Sequence, residues 1–355
     1  MSNKRIIGLD LLRIFAAFTI MTYHYFYIGP IQGFYSNEVF HRLCFWGEFG
    51  VDVFFLLSGF VILISTEYVK SSAKFLIGRA KRIYPAYIIC SLFTMFCGFL
   101  MPDTNKVDLF HRWLNSLMFY SDVWGGATLS NIYWTLLVEI KFYILVAIIM
   151  KIGIWKNYKY QILFLWCLIA IINNFSINNN MLNILFNLKY AGHFTLGIIL
   201  YLLKNRKERS YWMGTIIVMS VWLIYRNMLA HTNWIRSLTE IQYTDIDIFL
   251  GMIFIISVFI LSIEIQNCLF LTRFTSFLGA LSYTFYLIHA DFGYFIRTQY
   301  YIRLVVWFPN LLKVVNEHII MLSECLMSFI ISVIFLKIST IIAHGFRQRR
   351  RENNS

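Results

Sequence analysis

Runs of about twenty apolar residues recur along the chain, and this feature most limits how it can fold. An α-helix of about twenty apolar residues is long enough to cross the hydrocarbon core of a bilayer. The sequence predicts ten such helices, at about 6–28, 45–66, 84–101, 131–150, 161–176, 182–203, 211–230, 245–263, 279–298 and 317–341. Hydrophobic residues make up 59% of the chain and charged residues only 14%, unlike a soluble domain. We predict an all-α, polytopic integral membrane protein with about ten transmembrane helices and no soluble domain.

The basic residues indicate the orientation of these helices. They gather in alternate loops, such as 70–82, 204–209 and 347–351, and basic loops stay on the cytoplasmic side. Both termini of this multi-pass protein are therefore predicted in the cytoplasm, and the 102–130 loop outside. We divide the chain into a membrane domain over 1–341 and a cytoplasmic basic tail over 342–355. The net charge of +13 has the same origin, so we predict no nucleic-acid partner.

Two ionisable side chains interrupt the first apolar helix. Arg13 and His24 are eleven residues apart, about three helical turns, which puts them on one stripe roughly 16 Å apart along the axis. Charge is costly inside a membrane, so such groups usually face a cavity within the protein. The alternative is an arginine that reaches an interface and a histidine bonded within the helix bundle.

Further polar residues lie in or beside the next apolar runs. Asp52 either orients His24 by accepting a hydrogen bond from one ring nitrogen, or lies at the outer water interface; Ser58-Gly59 permits close helix approach. Glu139 is either functional or a structural partner of a basic residue such as Lys141 or Arg13.

An inner-loop pair and a late helix add further candidates. If the chain there is helical, Arg79 and Arg82 share a face suited to phosphate, although any inner loop is basic. Ser282, Tyr286 and His289 recur at helical spacing on one face, which is typical of a cavity lining or of interhelical bonding. No cluster of His, Cys and Asp has metal-ligand spacing, so we predict no metal.

These residues fall in motifs that resemble those of acyltransferase family 3, integral membrane proteins that O-acylate extracellular and envelope carbohydrates. The motifs are Arg13-x10-His24; Asp52 with Phe54-Phe55 and Ser58-Gly59-Phe60; Arg79-x-x-Arg82 followed by Ile83-Tyr84-Pro85; Trp134-Thr135-Leu136, Val138-Glu139 and Phe142-Tyr143; and Leu281-Ser282-Tyr283, Tyr286-Leu287 and His289. The chain departs from the family at Ile140 and Lys141, where many members carry glutamate and glutamine.

The resemblance implies an O-acyltransferase, most simply an acetyltransferase, that uses cytoplasmic acetyl-CoA or another short acyl-CoA. Its acceptor would be a hydroxyl of a surface polysaccharide such as O-antigen, free or lipid-linked. Membrane lipids are the other expected partner, and the resemblance implies the inner membrane of a bacterium. The implied catalytic residues are His24 as general base with Arg13, Glu139 and Asp52; Arg79 and Arg82 would bind coenzyme A, and Tyr133, Trp134, Ser282, Tyr286 and His289 would line the substrate cavity. The alternative is a saccharide transporter or flippase in which the intramembrane charges form a proton or substrate path.

Overall fold

The described part of the chain is mostly helical. The computed structural model describes residues 6–35, 39–102, 104–118, 126–177, 179–238, 243–265, 272–301 and 317–352, and these ranges contain no strand. The helices are α1 (Ile7–Tyr23), α2 (Gly50–Tyr68), α3 (Ser72–Phe99), α4 (Lys106–Leu117), α5 (Trp134–Ile152), α6 (Trp155–Ile172), α7 (Asn180–Phe186), α8 (Ala191–Asn205), α9 (Tyr211–Leu238), α10 (Asp245–Glu264), α11 (Thr272–Ile296) and α12 (Glu317–Glu352). Short π-helical segments follow three of them, at His24–Ile28, Asn173–Ile177 and Arg297–Tyr301.

The predicted fold class is confirmed: this is an all-α, polytopic membrane protein. Within the described residues, seven helical segments are long and apolar enough to cross a bilayer, and all seven coincide with predicted spans. The other three predicted spans correspond to α5, to α7 with α8, and to α11. Charged side chains lower the hydropathy of α5, which carries Glu139, Lys141 and Lys151.

One predicted span is not a continuous helix. The sequence predicts a single helix over 182–203, but α7 ends at Phe186 and Asn187 adopts a left-handed conformation (φ 55°, ψ 38°). A 3-10 turn, Leu188–Tyr190, then leads into α8. The Asn187 side chain donates a hydrogen bond to the Val138 carbonyl (3.0 Å), which stabilises this break; asparagine tolerates the left-handed region better than most residues.

Other boundaries also differ from the prediction. The third helix begins at Ser72 rather than near 84, so the stretch around Arg79 is helical. The predicted outer loop contains α4, although 103 and 119–125 lie outside the described residues. The last helix continues to Glu352 through most of the predicted tail, whose residues 353–355 are likewise outside the description.

The chain forms two compact units. The first comprises Met1–Gly50, Ala80–Tyr133 and Gln266–Ser355, and in it α1 packs against α11, which also packs against α12. A Cβ added at Gly279 would collide with Asp10, and one at Gly293 with the Tyr25 hydroxyl group. Since the contacts advance together along both helices, α1 and α11 are parallel. The ten-span assignment requires this direction for its first and ninth spans.

The second unit comprises Val51–Arg79 and Trp134–Ile265. Here α8 packs against α9, and α9 also contacts α6 and α10. A Cβ at Gly59 would collide with the Phe194 carbonyl, and one at Gly197 with the Leu56 carbonyl. Glycine thus allows the backbones of α2 and α8 to touch, which confirms the close approach predicted at Ser58-Gly59.

Candidate active site

His24 lies where the regular turns of the first helix end. The α-helix ends at Tyr23, and His24 begins the π-helical segment; π-helical turns are rare and often occur at functional sites. Its ring is partly buried and packs edge-on to Tyr23 and to His289, with ring centroids 5.4 and 5.1 Å away. The first unit therefore brings two predicted site histidines, His24 and His289, together.

The Tyr294 hydroxyl contacts both the backbone and the ring of His24. The Tyr294 hydroxyl donates to the backbone carbonyl of His24 (3.2 Å), so toward the His24 side chain its oxygen acts as an acceptor. The facing ring atom is Nδ1, 3.4 Å away. With the hydroxyl hydrogen on the carbonyl, Nδ1 carries the proton and Nε2 keeps the lone pair that a general base needs.

His289 is held in the same tautomer. Its Nδ1 donates to the Tyr286 carbonyl (2.8 Å), so its Nε2 is an acceptor. That Nε2 is buried, with no hydrogen-bond partner in the described part of the chain. Tyr25 fixes the local backbone by donating to the His289 carbonyl (2.6 Å). A buried acceptor without a partner is costly, and a ligand hydroxyl could supply the missing hydrogen.

Arg13 has a partner that the sequence analysis missed. Its Nη1 lies 3.1 Å from Oδ1 of Asp10, which is buried beside Gly279, while the Arg13 side chain keeps 18% of its exposure. The signal was present, because Asp10 and Arg13 are three residues apart on one helix. Ser282 lies near this pair, where its hydroxyl donates to the Gly279 carbonyl (2.8 Å).

A second residue that the sequence analysis missed is Asp291, which lies about one helical turn before Tyr294 on α11. Its carboxylate accepts a hydrogen bond from the Ser130 hydroxyl. Nearby, the Tyr286 hydroxyl donates to the Ile132 carbonyl (3.2 Å) and the Tyr133 hydroxyl to Thr94 (3.4 Å). Tyr133 and Tyr286 are both buried. The segment 130–133 is thus bonded to α11, so Tyr133 and Tyr286 belong to one buried polar layer of the first unit.

Glu139 and Arg79 are linked through a shared tyrosine in the second unit. Glu139 accepts hydrogen bonds from the hydroxyls of Ser58 (2.9 Å) and Tyr143. The Arg79 guanidinium lies over the Tyr143 ring, with its central carbon 4.9 Å from the ring centroid, and donates to Ser65. Arg79 is buried, so it is built into the helix packing.

Asp52 has a different partner from the one expected. Its carboxylate accepts a hydrogen bond from Nε2 of His193, which corrects the hypothesis that it bonds to His24. His193 is fully buried on the first turn of α8, where the break at Asn187 redirects the chain. Trp134 is partly buried in the same unit and stacks on Tyr190 (ring centroids 5.6 Å).

Arg82 differs from Arg79 in its environment. Its side chain is exposed, so it remains available to a ligand phosphate. Among the described residues, His, Cys, Asp and Glu form no group of three that could hold a metal ion, and metal independence stays a prediction.

Comparison with protein families gives a match across nearly the whole chain. The family model described as "Acyltransferase domain", acyltransferase family 3, matches residues 6–337. This range contains every predicted site residue from Arg13 to His289.

Two individual relatives share 25–30% sequence identity with this chain over the aligned residues. A Staphylococcus aureus (strain COL) protein named "Putative O-acetyltransferase" is 25% identical over 336 residues, covering 82% of this chain and 51% of its own length. "Nodulation protein 10" of Rhizobium leguminosarum bv. viciae is 30% identical over 175 residues, 42% of this chain and 45% of its own. The chain thus spans about half the length of these curated relatives. No solved structure matches it.

Proposed function

The chain belongs to acyltransferase family 3, and we propose that it is a membrane-embedded O-acyltransferase. It transfers an acyl group from cytoplasmic acyl-CoA to a hydroxyl of a surface or envelope polysaccharide, or of its lipid-linked precursor. The name of the S. aureus relative supports acetyl as the group transferred. The observation that carries the proposal is the position of His24, whose ring meets the Tyr294 hydroxyl at Nδ1 and lies beside the His289 ring; Nε2 is then the nitrogen assigned to accept the proton.

In the proposed reaction, Nε2 of His24 takes the proton of the acceptor hydroxyl as its oxygen attacks the thioester carbonyl. The tetrahedral oxyanion then collapses, the carbon–sulfur bond breaks, and the coenzyme A thiolate leaves. The His24 imidazolium returns its proton to the sulfur. His289, whose Nε2 is also an acceptor, orients the acceptor sugar by accepting a hydrogen bond from a neighbouring hydroxyl. The products are an ester and free coenzyme A.

The arginines are assigned separate tasks. Arg82 is exposed and binds the phosphates of the donor, because a guanidinium can form paired, charge-assisted hydrogen bonds to phosphate. Arg79 positions the local helix through Ser65 and Tyr143. Arg13 is oriented by Asp10 and stabilises negative charge on the thioester oxygen. Asp52 and Glu139 support their own helices through His193 and Ser58.

The test combines an assay of the purified protein with glycan analysis. The full chain is purified in mild detergent and given labelled acetyl-CoA with glycans from a strain that lacks the gene. Mass spectrometry of wild-type and deletion glycans shows whether one acyl mass is lost. We expect transfer by the wild type and its loss in His24→Gln, while His111→Gln, at an exposed histidine on α4, retains it. Saccharide movement across vesicles without any covalent change would instead favour the transporter.

A further inference from the structure

A large apolar cavity lies within the second unit. Its volume is about 820 Å³, and its walls come from α2, α5, α6 and α8. Phe142, Trp166 and Leu202 are representative of the lining, and none of the residues assigned to acyl transfer is part of it. The volume falls in the range of about 300–1,000 Å³ typical of cavities that hold organic ligands.

The charged residues of this cavity are confined to the ends of its helices. Glu67 lies at the end of α2, Lys156 and Lys159 in the first turns of α6, and Arg206 and Glu208 directly after α8. Since these helix ends are also the ends of predicted or candidate membrane spans, the charged mouth lies at a membrane–water boundary. The cavity itself extends from there into the hydrocarbon region.

The mouth carries one more positive than negative charge. Lys159 pairs with Glu208, and Nη2 of Arg206 lies 2.9 Å from Oε1 of Glu67. Burial raises the pKa of Glu208, but hydrogen bonds from Lys159 and Tyr160 outweigh it and bring that pKa below its usual value. Both acids are thus matched by a cation, and Lys156, whose side chain is exposed, supplies the surplus charge.

We propose that this cavity binds one anionic phospholipid of the bilayer, with an acyl chain among the apolar walls and the phosphate at Lys156. An unfilled apolar cavity forfeits dispersion contacts, and hydrocarbon is the most abundant material at this depth. Basic pockets between membrane helices at the cytoplasmic boundary attract anionic headgroups. A headgroup with one negative charge neutralises the surplus at this mouth.

The experiment measures lipid binding to the purified full chain, independently of acyl transfer. Delipidated protein is titrated with phosphatidylglycerol or with zwitterionic phosphatidylcholine, and bound lipid is counted by native mass spectrometry. One surplus charge should favour phosphatidylglycerol by about fivefold. Lys156→Glu should abolish that preference. Lys151→Glu is the matched control, because Lys151 is exposed on the last turn of α5 and does not line the cavity.

A second pair of variants tests the cavity itself. Val146→Trp places an indole in the lining, where it occupies space that a lipid acyl chain would fill. The lost dispersion contacts between the acyl chain and the cavity walls should lower the affinity for either lipid by at least about fivefold. Ile144→Trp, at a 45%-exposed position of the same helix, should bind lipid like the wild type. Equal affinity of the wild type for both lipids would overturn the proposal. So would unchanged binding in Val146→Trp, or a lipid-linked saccharide that copurifies and resists displacement by phosphatidylglycerol.

Discussion

Tyr294 should affect acyl transfer only through His24, and a double-mutant cycle can test this. Tyr294→Phe removes the hydroxyl that accepts from Nδ1 and donates to the His24 carbonyl. The aromatic ring, which stacks on Phe34 with centroids 4.2 Å apart, stays in place. The variant should therefore fold like the wild type while His24 loses the hydrogen bond that, in the proposed mechanism, selects its tautomer.

The size of the effect follows from the hydrogen bond that is lost. A neutral hydrogen bond contributes about 0.5–1.5 kcal/mol, and the 3.4 Å separation at Nδ1 places this one in the lower part of that range. Turnover by Tyr294→Phe should then fall by about two- to fivefold. Removing the base with His24→Gln should lower it by about 10²–10⁴. Donor affinity should stay nearly constant in both.

The double variant gives the decisive measurement. If Tyr294 acts through His24, His24→Gln/Tyr294→Phe should be no slower than His24→Gln alone, because the tautomer no longer matters. Turnover of labelled acetyl groups is measured for all four proteins at saturating acetyl-CoA, with equal recovery from the membrane as a control for folding. A further two- to fivefold loss in the double variant would show that Tyr294 acts independently, and the tautomer argument would fail.

Three further predictions concern the arginines, the buried pair and the topology. Arg82→Ala should weaken coenzyme A binding by about tenfold or more without lowering thermal stability, whereas Arg79→Ala should mainly lower thermal stability. Isothermal titration measures the binding and thermal unfolding in detergent measures the stability. The reverse pattern would contradict both assignments. Asp52→Ala should destabilise the protein by about 1–3 kcal/mol, since it leaves Nε2 of the buried His193 without its hydrogen-bond partner. Adding His193→Ala should cost less than the sum of the two single losses; additive losses would argue against the pair. Asn115→Cys in intact cells should react with an impermeant thiol reagent, and labelling only after lysis would reverse the predicted orientation.

The sequence was most informative about features that recur at a fixed spacing. Apolar runs of helical length predicted the fold class, and small residues at Ser58-Gly59 predicted a close helix contact. Ser282, Tyr286 and His289 were expected on one face, and all three are buried on α11. Such features depend on the local periodicity of residue types, which the sequence displays directly.

Partners and breaks were harder to predict because they depend on tertiary contacts. The left-handed Asn187 is a single residue within an otherwise apolar run, and its stabilising acceptor, the Val138 carbonyl, comes from another helix. Asp52 was expected to meet His24, yet it bonds to His193, 141 positions away along the chain. The Asp10–Arg13 pair is the exception among these partners. Its three-residue spacing on one helix could have been recognised in the sequence, and it was overlooked.

These pairings bear on which intramembrane polar residues carry chemistry. Arg13, Asp52 and Glu139 each have a bonded partner within their own unit, and that pairing alone offsets much of the cost of placing them among apolar helices. Their presence therefore does not require a catalytic role. His24 is different, because it contacts the uncharged Tyr294 hydroxyl rather than an oppositely charged side chain, and it is a partly buried residue beside His289. A histidine placed this way can exchange a proton with a ligand, so the proposed chemistry rests chiefly on His24.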